Sequence, residues 1–193
     1  MTDGAVDVWT IPLDAPRALI LSPDEQARAV RFRFEDARIR WSRARSALRA
    51  ILAGSMGLAP EDLRFDAGPH GKPALANDAR LYFNVSHSGD WAMIAVTRAA
   101  AVGIDIERVR EKVDIVALLR RIGESDLPAA RPELFQAWAR REAKSKAGGG
   151  PLLAPPAAEV RVTDLAAPPG YAAALALVGM TPVVRCRGGE SPV

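Results

Sequence analysis

The alternation in VGIDIERV, residues 102–109, constrains the fold more than any other stretch of the chain. Successive side chains of a β-strand point to opposite faces, so residues two apart share a face. Ile104 and Ile106 therefore lie on one face of a strand, and Asp105 and Glu107 lie side by side on the other. Two neighbouring carboxylates repel each other unless solvent or a cation covers them. Taken alone, this stretch favours an antiparallel strand with one solvated face.

Composition limits the kinds of protein that fit. The chain has 193 residues, of which 49% are hydrophobic and 25% charged, which suits one globular domain or two small halves sharing a core. It has no apolar run of about 18 residues and no signal-peptide layout, so we expect a cytoplasmic protein without a membrane partner. Cys186 is the single cysteine, and His70 and His87 are the only histidines. A metal would have to be held by carboxylates, which points to a hard ion such as Mg²⁺.

An arginine-rich segment carries much of the positive charge. Between Arg28 and Arg49 there are eight arginines against two acids, although the net charge of the whole chain is only +3. Apolar residues recur there at helical spacing, and SPDE at 22–25 is a helix start with Ser22 as cap. We expect a helical region ending at Gly54 or Gly57. Its second stripe, which contains Arg31, Arg38, Arg45 and Arg49, is either a solvated face or a site for phosphate groups, which arginine binds through paired hydrogen bonds.

The rest of the chain mixes strands and helices. Helical patterns cover 114–122 and 133–147, and GGGPLLAPP at 148–156 breaks the second. Strand patterns cover 6–11, 63–66, 81–85, 91–97, 101–107, 159–164, 171–178 and 182–187. We expect 91–97 and 101–107 to form a hairpin. The order predicts an α+β fold rather than a strict βαβ alternation.

Three polar clusters are candidates for chemistry. In YFNVSHSGDW, Ser86 and His87 are neighbours that point to opposite faces of a strand, so they do not form a nucleophile pair. They can hold an anion at the strand end, or serve as ordinary turn residues. Lys72 in HGKPAL is either a surface residue or a phosphate contact. Glu142 and Lys146 share one helix face, as a surface salt bridge or as a base and an acid.

The motifs GKP, FNVSHS, VGIDIE and WARREAKSKAGG, in this order, resemble the 4′-phosphopantetheinyl transferases of the larger, surfactin-synthetase-type class. They cover roughly residues 22–150. The resemblance implies two similar α/β halves related by a pseudo-twofold axis, which we place at 1–100 and 101–193. It also implies a monomer that transfers the phosphopantetheine arm of coenzyme A to a serine of an apo acyl or peptidyl carrier protein.

The same resemblance implies residue roles. Asp105, Glu107 and Glu142 correspond to ligands of Mg²⁺, with Mn²⁺ as an alternative ion. Glu142 corresponds to the general base, acting directly or through a metal-bound water, and Lys146 to the cation that neutralises or protonates the leaving phosphate. The residues that correspond to contacts with coenzyme A are Arg28, Arg40, Lys72, Ser86, His87, Arg141 and Lys146.

Three departures from the family pattern, and two other classes of function, qualify this interpretation. Arg141 replaces a common lysine, Lys144 a common aromatic residue, and Glu25 a phosphate-binding lysine of some relatives. The arginine-rich helix also fits a nucleic-acid-binding module, which leaves the three carboxylates unexplained and which we do not favour. A catalytically impaired relative that retains coenzyme A is the second alternative. The sequence does not choose among fatty-acid, polyketide and peptide synthetase carriers.

Overall fold

The computed structural model describes residues 4–67, 73–76, 78, 80–150 and 159–187. Its helices are α1 (Pro23–Ala29), α2 (Glu35–Met56), α3 (Ile115–Arg121) and α4 (Arg131–Gly148), with a 3₁₀ turn at Pro60–Asp62. Its strands are β1 (Ala5–Pro12), β2 (Phe65–Ala67), β3 (Pro73–Leu75), β4 (Tyr82–Ser88), β5 (Trp91–Thr97), β6 (Val102–Arg108), β7 (Val160–Asp164), β8 (Tyr171–Val178) and β9 (Val183–Arg187). This mixture of helices and strands confirms the α+β class.

Two sheets form the centre of the molecule. The first has the order β4-β5-β1-β9 and the second the order β6-β8-β7, while β2 and β3 form a separate pair. All pairings are antiparallel except that of β1 with β9. Strand β9 lies in the half that we predict at 101–193, yet it completes the sheet of the other half. The pseudo-twofold relation stays a prediction.

The apolar residues arrange these elements in four layers. Helix α2 packs Leu48 and Ile51 onto one face of the first sheet. The other face of that sheet meets the second sheet, where Val8 of β1 and Ile104 of β6 share a core. Helix α4 covers the outer face of the second sheet with its alanines, including Ala143. The order of layers is therefore helix, sheet, sheet, helix.

The helical region at 22–57 is two helices rather than one. Ser22 caps α1 as predicted, and Glu25 closes a capping box by accepting the Ser22 amide. Helix α1 ends at its C-cap residue Val30 and α2 begins after Phe34, so Arg31 lies in the connection between them. Helix α2 ends at Gly57 in the left-handed conformation, with φ of 67°, which a glycine adopts without strain.

The predicted hairpin of 91–97 with 101–107 is wrong. Strand β5 pairs with β4 on one side and with β1 on the other, so both of its edges are occupied. Strand β6 therefore crosses to the second sheet and pairs with β8. The tight turn at Gly89 and Asp90 joins β4 to β5, which form the hairpin instead.

Gly103 brings α4 unusually close to β6. A Cβ atom at this position would lie 2.1 Å from the Ala143 carbonyl oxygen and 2.5 Å from the Ala147 amide nitrogen. Both neighbours are backbone atoms of a packed helix, which cannot give way cheaply. The glycine of VGIDIE therefore sets the distance between the strand that carries Asp105 and the helix that carries Lys146.

Candidate active site

The acidic face of β6 is buried, so the solvated face that VGIDIERV favours on its own is wrong. Asp105 has 2% of its surface exposed, and Glu107 is partly covered. The opposite face carries Ile104 and Ile106 into the core between the two sheets. Helix α4 lies over the acidic face instead of water. A buried carboxylate needs hydrogen bonds or a cation, because losing its hydration costs several kcal/mol.

Lys146 and Ser86 supply those partners for one oxygen of Asp105. The Lys146 ammonium donates to Asp105 Oδ1 over 2.6 Å, to Ser86 Oγ over 3.1 Å and to the Ile104 carbonyl over 3.4 Å. The Ser86 hydroxyl itself donates to Asp105 Oδ1 over 2.8 Å. Within the described part of the chain, the second oxygen, Oδ2, is buried without a hydrogen-bond partner. Such an oxygen is an available ligand for a cation.

Glu107 continues the acidic row toward the end of β6. Its Oε2 accepts a hydrogen bond from the Ser88 hydroxyl over 3.0 Å and lies 3.6 Å from an Arg110 nitrogen. Desolvation, followed by the negative charge of Asp105, raises the pKa of Glu107, and the bond from Ser88 offsets part of this. The group is therefore more easily protonated than an ordinary glutamate.

Glu142 approaches the same row from α4. Desolvation raises its pKa most; Lys146 opposes this rise, while Asp105 and Glu107 add to it. The mutual effect shows that the three carboxylates lie within electrostatic reach of one another. A carboxylate whose pKa is raised toward neutrality is suited to accept a proton.

A cavity of about 800 Å³ lies between α1, α2 and the strands β2 to β4, on the face of β4 opposite to Ser86, and its described lining includes none of the three carboxylates or Lys146. Arg28 lines it and lies over the ring of Trp41, 5.3 Å from the ring centre. His87 lines it as well, on the opposite face of β4 from Ser86, as the strand pattern predicts. Although the side chain of His87 is open to the cavity, desolvation and then the charge of Lys146 lower its pKa. Both effects favour the neutral imidazole.

Glu25, Arg45 and Arg49 form a second charged cluster in the wall of this cavity. Glu25 accepts hydrogen bonds from Arg45 Nε and, over 2.6 Å, from Arg49 Nε. Arg49 also donates to the Pro60 carbonyl over 2.6 Å, and Arg45 stacks on Phe65 at 3.8 Å from the ring centre. Arg49 is therefore a buried structural cation and Arg45 a half-buried one, so neither belongs to a solvated face, which is the first of the two interpretations of the arginine stripe.

The remaining predicted contacts lie elsewhere or outside the described residues. Arg40 is partly exposed and pairs with Asp90 over 2.8 Å, beyond the lining of the cavity that the structure describes. Arg141 is partly buried on α4, next to Glu142. Lys72 and His70 lie outside the described residues.

Two residues that contact the acidic strand are absent from the predicted site residues. Asn84 and Ser88 lie on the same face of β4 as Ser86, and both reach β6 through hydrogen bonds. The available signal was the spacing of two in FNVSHS, which places three polar side chains on one face of an otherwise apolar strand.

The donor set fits a hard divalent cation. The carboxylates of Asp105, Glu107 and Glu142 influence one another electrostatically, and Asp105 Oδ2 is buried without a partner among the described residues. Among the residues that the structure describes, however, no group of three or more His, Cys, Asp or Glu stands close enough to form a finished metal site. The Lys146 ammonium occupies Asp105 Oδ1 instead, so an incoming cation competes with it.

Comparisons with known proteins identify the family. Residues 15–99 match the family model described as 4′-phosphopantetheinyl transferase, N-terminal. The chain is 38% identical over 162 residues to the 4′-phosphopantetheinyl transferase HetI of Nostoc sp., covering 75% of this chain and 68% of that relative. It is 36% identical to the 4′-phosphopantetheinyl transferase psf-1 of Bacillus pumilus, covering 67% of this chain and 58% of that relative. The chain thus covers slightly more than two thirds of the length of the first relative and less than two thirds of the second.

Proposed function

Because this chain belongs to the 4′-phosphopantetheinyl transferase family, we propose that it transfers the phosphopantetheine arm of coenzyme A to a serine of an apo acyl or peptidyl carrier protein. The serine oxygen forms a bond to the β-phosphorus of coenzyme A. The bond from that phosphorus to the bridging oxygen breaks, and 3′,5′-ADP leaves. The products are the holo carrier protein and the nucleotide.

One observation carries this proposal: the carboxylates of β6 and the Glu142–Lys146 pair of α4 come together on one face of β4, and the opposite face of β4 lines a cavity of about 800 Å³. Phosphoryl transfer needs positioned cations and a group that takes the proton of the attacking hydroxyl. The cavity is large enough for a nucleotide, since ligand pockets are typically about 300–1,000 Å³. A surface salt bridge between Glu142 and Lys146 alone does not explain why Lys146 reaches into the buried Asp105.

Glu142 and Lys146 divide the proton and charge transfers in this proposal. Glu142 takes the proton of the carrier serine. The Lys146 ammonium lies near the departing phosphate and neutralises the charge that develops on it. For this, Lys146 leaves Asp105, to which it donates a hydrogen bond.

Asp105, Glu107 and Glu142 would hold Mg²⁺, or Mn²⁺ in its place. When bound, such an ion supplies positive charge at the pyrophosphate and so stabilises the departing nucleotide. Asp105 Oδ2 is the donor that the protein itself leaves unused within the described residues. The raised pKa values of Glu107 and Glu142 predict that a cation at this point would lower both.

The cavity would hold the adenine nucleotide of coenzyme A. Arg28 is the arginine of its lining that stacks on Trp41, and His87 gains a proton readily once a phosphate lies beside it. Ser86, Arg40, Lys72 and Arg141 stay predicted contacts. Monomeric state, a location in the cytoplasm and indifference to nucleic acid belong to the same proposal. Among the described residues, no helix combines the length and apolar character needed to cross a membrane.

A loading assay tests the proposal. The chain is incubated with coenzyme A, Mg²⁺ and a panel of apo carrier proteins from fatty-acid, polyketide and peptide synthetases, and each carrier is weighed by mass spectrometry. We expect at least one carrier to gain the phosphopantetheine mass, and none to do so without the metal. Binding of coenzyme A without any transfer would favour the impaired relative, and salt-sensitive binding of duplex DNA without binding of coenzyme A would favour the nucleic-acid module.

A further inference from the structure

Strands β4 and β6 meet at the edges of two different sheets. Strand β4 ends the order β4-β5-β1-β9, and β6 begins the order β6-β8-β7. The ladder pairings that the structure describes do not join them, yet Asn84, Ser86 and Ser88 of β4 all reach β6. We call these three side chains the polar seam. Side chains therefore connect these two edges where a sheet would use its backbone.

The outer members of the polar seam bind the backbone of β6 on either side of the carboxylates. Asn84 Oδ1 accepts the Ile104 amide over 2.8 Å, immediately before Asp105. Ser88 Oγ accepts the Arg108 amide over 3.1 Å, immediately after Glu107. The strand is thus held at both ends of its acidic segment.

Ser88 also orients a carboxylate directly. While its oxygen accepts the Arg108 amide, its hydroxyl donates to Glu107 Oε2 over 3.0 Å. One side chain therefore fixes both the main chain beside Glu107 and the rotation of its carboxylate. The other oxygen of that carboxylate then points in a defined direction.

The position of the seam argues against a role in packing alone. Asn84 is 8% exposed, and burying an amide costs free energy unless its hydrogen bonds are made. An edge amide of β6 that lacked its partner would be equally costly. On its other side β6 is pressed against α4 at Gly103, so the strand is held from two directions around Asp105 and Glu107.

We propose that Asn84 and Ser88 are positioning residues that set the main chain of β6 and the Glu107 carboxylate for cation binding. This inference rests on the proposed function, because it takes Asp105 and Glu107 as ligands. Neither residue touches the reacting atoms in this account. They act through β6.

Binding of Mn²⁺ to the full chain, followed by electron paramagnetic resonance, tests the proposal without relying on turnover. Ser88→Ala and Asn84→Ala should each weaken Mn²⁺ binding about 10- to 100-fold, the usual effect of losing a partner behind a metal ligand. Ser88→Thr keeps the hydroxyl and should restore most of the affinity. Ser55→Ala removes a hydroxyl that bonds to the Ile51 carbonyl on α2, and should bind Mn²⁺ like the wild type.

Steady-state kinetics of folded variants separate a positioning role of Ser88 from a role in stability. In the loading assay, Ser88→Ala should lower kcat while the KM for coenzyme A stays near the wild-type value. Wild-type Mn²⁺ affinity in a folded Ser88→Ala variant overturns the inference, even if Asn84→Ala fails to fold. Failure of Ser88→Thr to restore binding does the same. If the wild-type chain binds no Mn²⁺, the proposed metal site and the inference are both overturned. If the wild type binds Mn²⁺ and the alanine variants bind it equally well, only the inference is overturned.

Discussion

The two buried charged clusters of this protein are built in opposite ways. In the cluster of Glu25, Arg45 and Arg49, one acid faces two cations, and Glu25 accepts from both arginines and from the Ser22 amide. In the cluster of Asp105, Glu107, Glu142 and Lys146, the buried cation is Lys146, the more exposed Arg110 lies 3.6 Å from Glu107, and Asp105 Oδ2 lacks a partner within the described residues. The first cluster is satisfied by the protein itself. The second leaves a buried carboxylate oxygen without a described partner.

The pKa values follow that difference. Desolvation works to raise the pKa of Glu25, but the hydrogen bonds from Arg49 and Ser22 and the charge of Arg45 outweigh it, so the pKa lies below its ordinary value. Desolvation and neighbouring acids raise the pKa values of Glu107 and Glu142. A buried acid with lowered pKa stabilises the fold at neutral pH, and one with raised pKa destabilises it. We infer that the first cluster supports the fold and the second is kept for function.

The largest expected effect is that of Asp105→Asn on activity. The substitution keeps the shape and the bond from Ser86 but removes the charge that a cation and Lys146 both use, so transfer should fall to background. Mass spectrometry of a loaded carrier at saturating coenzyme A and low Mg²⁺ measures this. Asp164→Asn is the matched control, since that acid pairs with Arg140 on the surface and should leave the rate unchanged. Full activity of Asp105→Asn would remove the metal assignment.

Glu142→Gln should affect activity and stability in opposite directions. Glutamine cannot take the proton of the serine, so kcat should drop at least about 10²-fold while coenzyme A still binds. Because the folded state holds the ionised form of Glu142 at a cost, the neutral side chain should raise the melting temperature at pH 7.5. A variant that loads carrier at the wild-type rate would end the assignment of Glu142 as base.

Glu25→Gln should have the opposite effect on stability. It leaves Arg49, which is 2% exposed, without its counter-charge, and losing one partner of a buried pair costs about 3 kcal/mol or more. The free energy of unfolding, from urea titration at neutral pH, measures this loss. An unchanged midpoint would contradict the view that this cluster supports the fold.

How far the sequence could lead is clearest in these same two clusters. Alternation in VGIDIERV correctly predicts that Asp105 and Glu107 share a face, but it cannot say what covers that face, because α4 arrives from more than thirty residues away. Helical spacing predicts Arg45 and Arg49 on one stripe, but their partner Glu25 lies 20 and 24 residues earlier, on a separate helix. The local sequence pattern predicts the face on which a side chain lies, but only the fold determines which residue contacts it.

Strand pairing shows the same limit. The short link between β5 and β6 suggests a hairpin, yet β5 is buried along nearly its whole length as a central strand between β4 and β1. Its segments WAM and IAV carry no sign of which edges of the strand are free. The position of the polar seam follows from this pairing, since β6 can meet β4 only because β5 does not hold it.

Acid titration should reveal a smaller effect, set by the first cluster. Because the folded-state pKa of Glu25 is lowered, its contribution to stability is complete above the ordinary carboxyl pKa and is lost as pH falls through the lowered value. The wild type should therefore lose stability on acidification below about pH 4.5, and Glu25→Gln should lose less over the same interval. Parallel curves of unfolding free energy against pH for the two proteins would contradict this.

The smallest expected effect comes from a charge pair outside both clusters. Arg140 and Asp164 join α4 to β7 by two hydrogen bonds of 2.7 and 2.6 Å, but each side chain is 46% exposed. Water and salt screen such a pair, so a double-mutant cycle with Arg140→Ala and Asp164→Ala should give a coupling of only a few tenths of a kcal/mol. The coupling should shrink further in 1 M salt, where charges are screened within about 3 Å. A coupling as large as the loss in Glu25→Gln would mean that burial is not what separates the structural cluster from an ordinary surface pair.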